Sequence, residues 1–266
     1  MLTPFTSLVR HPSLIWQFAR RDILGRYRGS LLGLGWAVLS PLMMLLVYTF
    51  VFVGVFKARW PGAGEQGGAA FALQIFAGLA VFNFFSEVLN RTPHLIVEQP
   101  HLVKKVSFPL EILPFVAVLA GLFHLVLNAL ILLAGSRLIF GPLPGSVLAL
   151  PLVWLPMIPL LLGLGWFFSA LGVFVRDIAQ IMGMALNLLL FLSPIFYSAT
   201  AVPEEVRYWM HLNPLTLMIE NTRHALFAGQ LPDWSSWLLY LALSCGVALA
   251  GAYFFQSTRR GFADVL

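Results

Sequence analysis

Charged residues are scarce in this sequence. Only 10% of its 266 residues are Asp, Glu, Lys or Arg, and 59% are hydrophobic, whereas a soluble globular domain carries roughly a quarter charged residues. The composition excludes an ordinary soluble domain and predicts a polytopic membrane protein. The net charge of +5 does not indicate nucleic-acid binding, because the sixteen Lys and Arg residues are spread over the segments that flank the apolar runs.

Cysteine and lysine are also rare, which limits the chemistry that the chain can carry. Cys245 is the single thiol, so an intrachain disulfide and a thiolate metal cluster are excluded, and its position in an apolar run is typical of a small buried residue. The three lysines, Lys57, Lys104 and Lys105, do not belong to a GxxxxGK[ST] loop that could cradle phosphate. The six histidines show no HExxH or comparable ligand spacing. We therefore expect no catalytic residue, no metal site and no cofactor in this chain.

Six apolar stretches are long enough to cross a hydrocarbon core of about 30 Å, which takes about 20 helical residues. They lie at residues 31–56, 70–90, 108–133, 147–173, 181–198 and 234–255. We expect Pro109 to occupy the first turn of the third span, where its ring costs no helical hydrogen bond. The sequence predicts an all-α membrane protein with six transmembrane helices, built as a single transmembrane domain over residues 1–266.

The basic residues are divided unequally between the two sides of the membrane that six spans define. Eleven fall on one side, namely Arg10, Arg20, Arg21, Arg26, Arg28, Arg91, Lys104, Lys105, Arg176, Arg259 and Arg260, and five fall on the other, namely Lys57, Arg59, Arg137, Arg207 and Arg223. Cytoplasmic segments carry the excess of Lys and Arg. Both termini are therefore predicted to lie in the cytoplasm.

Residues 11–30 are predicted to form an amphipathic helix along the membrane surface. At about 100° per residue, one arc of this helix is basic and the other side is largely apolar. The basic arc contains Arg20, Arg21 and Arg28. Asp22 and Arg26 interrupt the apolar side and can pair with each other at i, i+4. Two interpretations stay open: a positive-inside anchor, or a helix that moves to couple the spans to a partner.

Two connections are long enough to hold helices of their own. Residues 91–107, on the predicted inner side, have room for one short cytoplasmic helix. Residues 199–233, on the predicted outer side, contain two helix starts, at Pro203 with two acids after it and at Asn213, and Gly229 can end the second helix. Neither helix is long enough to span. Both are expected to lie in the interface or to re-enter the membrane.

Polar side chains recur at helical spacing in several places. The second span carries Asn83, Ser86, Glu87 and Asn90, the third His124 and Asn128, the fifth Gln180, Met184, Asn187 and Phe191, and the outer connection Glu220, Arg223 and His224. The outer set predicts a local ion pair. For the sets within spans, hydrogen bonds between helices and a polar channel interior both stay open, and three such sets together favour a polar interior.

Aromatic residues form a stripe along the first span. Tyr48, Phe52 and Phe56 recur at every fourth residue, so they share one face of a helix. Such a stripe can face lipid, or it can line a path for sugars, because flat aromatic rings pack against the apolar faces of sugar rings. The spacing alone does not choose between the two.

Five segments together resemble the permease subunits of ABC exporters for bacterial surface polysaccharides, in the ABC type-2 transporter family. They are RRDILGRYRGSLLGLGWAVLSPL at 20–42, KKVSFPLEILP at 104–114, VFVRDI at 173–178, SPIFYS at 193–198 and NPLTLMIE at 213–220. The resemblance covers essentially the whole chain in the right order.

The resemblance implies a multi-pass homodimer in the bacterial inner membrane, surrounded by membrane lipids, with no nucleic-acid partner. Two copies of a separate ATPase subunit would bind ATP and Mg²⁺ on the cytoplasmic side. The cargo would be an undecaprenyl-linked polysaccharide of the O-antigen or capsule type.

The resemblance also implies roles for individual segments. The helix at 11–30 would be an interface helix, with Arg20, Arg21, Arg26 and Arg28. The connection at 91–107 would couple to the ATPase through His94, Glu98, His101, Lys104 and Lys105. The segment at 199–233 would form outer gate helices, with Tyr208, Trp209, Glu220 and Arg223. Together with the stripes described above, the predicted substrate channel is lined by Tyr48, Phe52, Phe56, Asn83, Ser86, Glu87, Asn187 and Phe191.

Two alternative functions stay open on the sequence. A permease of the same fold could move a drug or a lipid, and the stripes do not exclude it. A membrane-embedded transferase acting on lipid-linked sugars would need a cluster of acids or histidines near one interface, and the sequence does not indicate one.

Overall fold

Helices form nearly all of the described part of the chain. The computed structural model describes residues 3–57, 60, 67–103 and 108–266. Within these residues no strand occurs. The predicted all-α class is confirmed.

Thirteen α-helices follow one another in these residues. They are α1 (Thr3–Arg10), α2 (Pro12–Tyr27), α3 (Trp36–Tyr48), α4 (Gly67–Arg91), α5 (Pro100–Val103), α6 (Leu113–Phe140), α7 (Leu150–Trp154), α8 (Met157–Phe174), α9 (Ile178–Leu192), α10 (Glu204–His211), α11 (Pro214–Arg223), α12 (Trp234–Thr258) and α13 (Phe262–Val265). Two π-helical segments extend helices, Thr49–Val55 after α3 and His224–Ala228 after α11. The backbone groups of these apolar stretches are therefore hydrogen-bonded within helices. Lipid requires this, because it offers no hydrogen-bond partners of its own.

Five helical stretches are long and apolar enough to cross a membrane. They are Gly33–Val55, Gly68–His94, Leu110–Phe140, Gly145–Phe174 and Trp234–Val265. They correspond to the predicted first, second, third, fourth and sixth spans. The third differs in how it begins, because Pro109 precedes a 3₁₀ turn and Pro114 occupies the first turn of α6. The prediction for Pro109 was wrong, since the α-helix starts at Leu113, four residues later.

The predicted span at residues 181–198 is not confirmed as a span. Its helix, α9, has 15 residues and is about 22 Å long, shorter than the hydrocarbon core of about 30 Å. The helix ends because Ser193 precedes Pro194 and is extended, with φ −87° and ψ 148°, the conformation that a following proline imposes. The described residues therefore contain five candidate spans and the shorter apolar helix α9.

The helix α4 is the centre of the bundle. In its most apolar stretch 78% of the residues are buried, and α4 contacts α3, α6, α8, α9 and α11. By contrast, none of the first span's most apolar stretch is buried, although α3 packs on α4 and α6 along one side. The first span therefore leaves a broad apolar face uncovered. Cys245 on α12 is exposed as well, so the prediction of a buried thiol was wrong: its side of α12 faces outward.

A helix is present over most of residues 11–30. It is α2, and its buried residues, Ile15 and Ala19, lie on the side that packs against α6. After Tyr27 the chain turns through Gly29, whose φ of 83° is a left-handed conformation that glycine adopts without strain. The helix lies against the bundle, and its place at a membrane surface stays a prediction.

The two short helices predicted in residues 199–233 are present as α10 and α11. The Asn213 side chain caps α11 by accepting a 2.9 Å hydrogen bond from the backbone N–H of Leu215. Gly229 ends the π-helical extension in the left-handed conformation. Both predicted boundaries are confirmed. With 8 and 10 residues, neither helix can span, and α11 is largely buried among α4 and α7.

Close contact between α8 and α12 depends on two glycines. A Cβ added at Gly251 would overlap the carbonyl oxygen of Gly163, and a Cβ added at Gly163 would overlap the carbonyl of Val247. Small residues that let helix backbones touch are a common means of packing helices in membranes. The last span is thereby held to the fourth.

Replacing Gly251 by alanine tests this contact. We expect Gly251→Ala to destabilise the folded protein by about 1–3 kcal/mol, the usual cost of overpacking, and to lower its melting temperature in detergent. Gly246→Ala is the matched control on the same helix, because a Cβ there meets no atom within 4 Å. An unchanged melting temperature for Gly251→Ala would show that α8 and α12 do not need this close approach.

Candidate functional site

The predicted aromatic stripe of the first span is part of a larger aromatic cluster. The rings of Phe52 and Phe196 are stacked, with centroids 5.7 Å apart and an interplanar angle of 21°, and Phe52 also lies 5.8 Å from Phe71. The aromatic cluster consists of Tyr48, Phe52, Phe56, Trp60, Phe71, Phe191 and Phe196. It joins the first span to α4 and to the segment that follows α9.

Three elements bring these rings together. The first span supplies a stripe at every fourth residue, α4 supplies Phe71 from its buried side, and the break at Pro194 carries Phe196 back towards α3. The sequence pattern missed Trp60, Phe71 and Phe196, since their partners lie on other helices. The SPIFYS segment, which contains Phe196, contributed to the family resemblance but not to the predicted channel.

One side of the aromatic cluster is open. Phe56 and Phe191 are 67% and 68% exposed, although both rings contact other members of the cluster. Asn187, one turn before Phe191 on α9, is exposed too. A single chain therefore presents the cluster as a wall rather than enclosing it.

The polar stripe of α4 lies beside this wall. Asn83 and Asn90 are exposed and Ser86 is partly exposed, on a helix whose other faces are buried. Tyr48 and Asn83 line the same cavity of about 200 Å³, together with Ser40, Pro41, Met44, Phe76 and Leu79. The structure thus brings together an aromatic ring and an amide that were predicted separately for the channel.

Glu87 belongs to a network that joins three helices. Its carboxylate accepts hydrogen bonds from Arg26 on α2 at 2.7 Å and from Nδ1 of His124 on α6 at 2.9 Å. The Tyr27 hydroxyl lies 2.8 Å from Nε2 of the same histidine. Burial raises the pKa of Tyr27, so its hydroxyl stays protonated and can donate this bond. Glu87 thus anchors α2 to α4 and α6, and its predicted place in a channel stays a prediction.

A second ion pair ties α2 to α4. Arg91 donates to Asp22 at 2.5 Å. The predicted pairing of Asp22 with Arg26 along α2 was therefore wrong, because each of the two finds an opposite charge on α4. Asp22 and Arg26 interrupt the apolar side of α2 because that side faces Glu87 and Arg91 of α4.

A basic cavity lies between α2 and the start of the first span. Its volume is about 470 Å³, and it is lined by Arg21, Leu24, Gly25, Tyr27, Arg28, Gly33 and Leu34. Arg21 also stacks on Phe18, with the guanidinium carbon 4.5 Å from the ring centre. Of the predicted interface arginines, Arg20, Arg21 and Arg28 are exposed, and Arg26 is engaged by Glu87. Guanidinium groups beside apolar walls suit an anionic head group that carries an apolar tail.

The connection at 91–107 contains a 3₁₀ turn at Thr92–His94 and the four-residue helix α5. His94, Glu98 and His101 are exposed on its surface. Pro93 is held tightly against Gly172 of α8, since a Cβ at Gly172 would overlap the Pro93 carbonyl. Lys104 and Lys105 lie outside the described residues. The connection is thus attached to a spanning helix at one end and presents polar side chains at its surface.

The outer hairpin, α10 with α11, places its predicted residues in two different settings. Tyr208 and Trp209 on α10 are 68% and 69% exposed and contact each other edge to face, with centroids 5.9 Å apart. On α11 the predicted ion pair is confirmed, since Arg223 donates to Glu220 at 2.9 Å. Arg223 is almost completely buried.

Comparisons with known proteins agree with this architecture. The profile of the ABC-2 type transporter family matches residues 13–227. The chain is 28% identical to the O-antigen export system permease protein RfbA of Myxococcus xanthus, over 99% of both chains. It is 24% identical to a protein of the same name from Klebsiella pneumoniae, over 95% of both chains. It is 27% identical to the polysialic acid transport protein KpsM of Escherichia coli, over 86% of both chains.

The family profile covers nearly all of α2 and the whole of the aromatic cluster, the polar stripe of α4 and the outer hairpin. Because it spans most of the sequence, it establishes membership and not only local likeness. This chain is a membrane-spanning permease protein that belongs to the ABC-2 type transporter family.

Proposed function

We propose that the chain is the permease subunit of an exporter that moves lipid-linked polysaccharide out of the bacterial cytoplasm across the inner membrane. The observation that carries the proposal is the open aromatic cluster beside an exposed amide, Asn83, on an otherwise buried helix. Aromatic rings pack against the apolar faces of sugars, and amides form hydrogen bonds with their hydroxyls. Such a surface can hold successive sugar units weakly and without strict sequence selection.

The relatives support the same class of cargo. Two are named for O-antigen export and one for polysialic acid transport, and both cargoes are bacterial polysaccharides. The first of them matches over 99% of both chains, so the resemblance includes the cluster, the basic cavity and the outer hairpin. The aromatic cluster and its neighbouring amides do not by themselves exclude a drug or lipid permease of the same fold, so the preference for polysaccharide rests on these relatives as well.

The basic cavity supports a role in receiving the lipid-linked end of the cargo. Arg21 and Arg28 line it together with Leu24 and Leu34. A pyrophosphate would pair with the guanidinium groups, while the polyprenyl tail remains in lipid beside the apolar wall. The cargo would then pass from α2 towards the polar stripe of α4.

The export machine would consist of two copies of this chain and two copies of a separate ATPase subunit. The aromatic cluster forms only one wall in a single chain, and a second copy facing it would complete a channel. The ATPase copies would bind ATP and Mg²⁺ and would dock at the connection that contains α5, with both chain termini on the same, cytoplasmic side. The ATP-driven step would thus belong to the complex, because the permease family lacks an ATPase domain of its own.

Deleting the gene tests the proposed cargo. Surface polysaccharide should be lost while lipid-linked polymer accumulates inside the cell, because synthesis continues and only translocation stops. Immunoblots of intact cells and of extracted lipid-linked glycan measure the two pools. Normal surface display, or accumulation of a drug or a free lipid instead, would contradict the proposal.

Replacing Phe52 by leucine tests the aromatic cluster. The change keeps an apolar side chain but removes the ring that stacks on Phe196, and an aromatic pair contributes about 0.5–1.5 kcal/mol beyond its buried area. We expect export to fall roughly two- to tenfold in a pulse-chase assay of surface glycan. Phe50→Leu is the control, because this ring is 69% exposed. Equal export in the two variants would remove the cluster from the cargo path.

A charge swap tests whether the position of α2 matters for the coupling of ATP hydrolysis to export. Asp22→Arg or Arg91→Asp alone should lower export per ATP hydrolysed, because each places like charges opposite each other at the contact between α2 and α4. The double variant restores the pair and should recover most of the lost coupling, an interaction energy of about 0.5–3 kcal/mol. Asp22→Arg with Arg20→Asp is the control, since it restores net charge without restoring the pair. Equal recovery in both double variants would exclude a specific role for the ion pair.

A further inference from the structure

Arg223 uses four hydrogen bonds to join three parts of the chain. Its side chain is 3% exposed. Its Nε donates to the carbonyl of Gln74 on α4 at 3.1 Å, and its Nη1 and Nη2 donate to the carbonyls of Pro194 and Ile195 at 2.6 and 2.8 Å. The fourth bond runs to Glu220 on α11 itself. The end of the outer hairpin is thereby attached to both α4 and the segment after α9.

These hydrogen bonds satisfy backbone carbonyls that the break after α9 leaves without helical partners. The carbonyls of Pro194 and Ile195 lie in an irregular segment, where no helical N–H is in position to pair with them. Buried backbone carbonyls without donors are costly, above all in nonpolar surroundings. Burial lowers the pKa of Arg223 to about 10, so the guanidinium is still charged at neutral pH and makes strong bonds to all three carbonyls.

The same guanidinium borders the aromatic cluster at two points. Its central carbon lies 4.5 Å from the ring centre of Trp60, and Trp60 in turn contacts Phe71 at 5.7 Å. The carbonyl of Ile195 belongs to the residue directly before Phe196, whose ring stacks on Phe52. Fixing the backbone at Ile195 therefore fixes where the Phe196 ring lies.

Gly78 leaves room for this arrangement. A Cβ at this position would lie 3.1 Å from Nη2 of Arg223 and 3.3 Å from Cα of Ile195. Both distances are tight, so any larger side chain would push the guanidinium or the irregular segment away. Glycine at this point of α4 lets the two approach the helix closely.

We propose that Arg223 is a positioning residue that holds Phe196 and Trp60 in the aromatic cluster and thereby sets the sugar-contacting wall according to the position of the outer hairpin. The assignment rests on the proposed function for its link to sugars, and on geometry alone for its link to Phe196. Movement of α11 would carry the guanidinium with it and release the two carbonyls beside Phe196. The hairpin and the wall would then rearrange together.

Crosslinking measures the geometric part without cargo or nucleotide. In a full-length chain carrying Cys245→Ser, Phe52→Cys and Phe196→Cys, a short bifunctional maleimide should join the two new thiols. Arg223→Met removes the donors to all three carbonyls, and we expect the yield in the folded, monodisperse fraction to fall roughly tenfold, the change that loss of one buried charged hydrogen bond produces. Arg137→Met is the matched control, since Arg137 is exposed and should leave the yield unchanged.

Two further variants keep the test decisive if Arg223→Met does not fold. Arg223→Lys retains the charge but lacks the planar fork, so it should recover only part of the yield. Gly78→Ala presses on the same guanidinium and should also lower the yield. The proposal would be overturned if folded Arg223→Lys and Gly78→Ala proteins both crosslink with the wild-type yield. A wild-type crosslinking yield in folded Arg223→Met would overturn it as well.

Stimulation of ATP hydrolysis measures the functional part. With the complex that co-purifies from cells, Arg223→Lys should raise the concentration of lipid-linked glycan that gives half-maximal stimulation, because the wall that contacts sugar is displaced. Arg137→Met should leave that concentration unchanged. If glycan does not stimulate the wild-type complex, the proposed cargo is wrong, and the crosslinking result still decides the role of Arg223. If stimulation is normal and Arg223→Lys does not shift it, the role of Arg223 in the wall is wrong.

Discussion

Polar groups inside an apolar bundle have to find partners within the protein, and the structure depends on how this constraint is met. Water cannot pair with them in hydrocarbon, and each unpaired group costs free energy. The chain nevertheless breaks its helical path at Pro194 and buries the charged side chains of Glu111 and Arg223. Arg223 compensates for the interruption by donating to the carbonyls of Pro194 and Ile195. The break can therefore persist and can carry Phe196 into the aromatic cluster.

The same constraint organises the end of the bundle where α1 and the segment after α12 both contact the start of the third span. Glu111, at the start of the third span, is almost fully buried and accepts from Ser7 of α1 at 2.8 Å and from Arg259, after α12, at 2.7 Å. The backbone carbonyl of Glu111 accepts from the indole N–H of Trp166 on α8. Through its carboxylate and its backbone carbonyl, Glu111 thus joins four segments. Breaking a buried ion pair costs more than forming it gains, so this node fixes the relative positions of α1, α6 and α12.

Two polar nodes and the aromatic cluster all involve the central helix α4. The Glu87 network attaches α2 to α4 and α6, the Arg223 contacts attach α11 to α4 and to the end of α9, and the aromatic cluster lies between them. Because α4 takes part in both polar nodes and in the cluster, displacement at α2 and displacement at the outer hairpin both act on the same helix. The helix α4 therefore carries contacts with charged side chains near both of its ends, and in the proposed exporter it would link movement of the ATPase partner to the aromatic cluster.

The sequence by itself determined the class of the protein, five of its spans and the boundaries of several helices. Apolar runs of sufficient length form helices in any membrane protein, and Asn213, Pro214 and Gly229 act on backbone groups next to them in the chain. The tertiary structure alone decided which charges pair and which rings meet. Asp22 pairs with Arg91 and not with Arg26, and Phe52 stacks on Phe196, because such contacts depend on how separate helices pack. Helical spacing places residues on a face, and only packing decides what that face contacts.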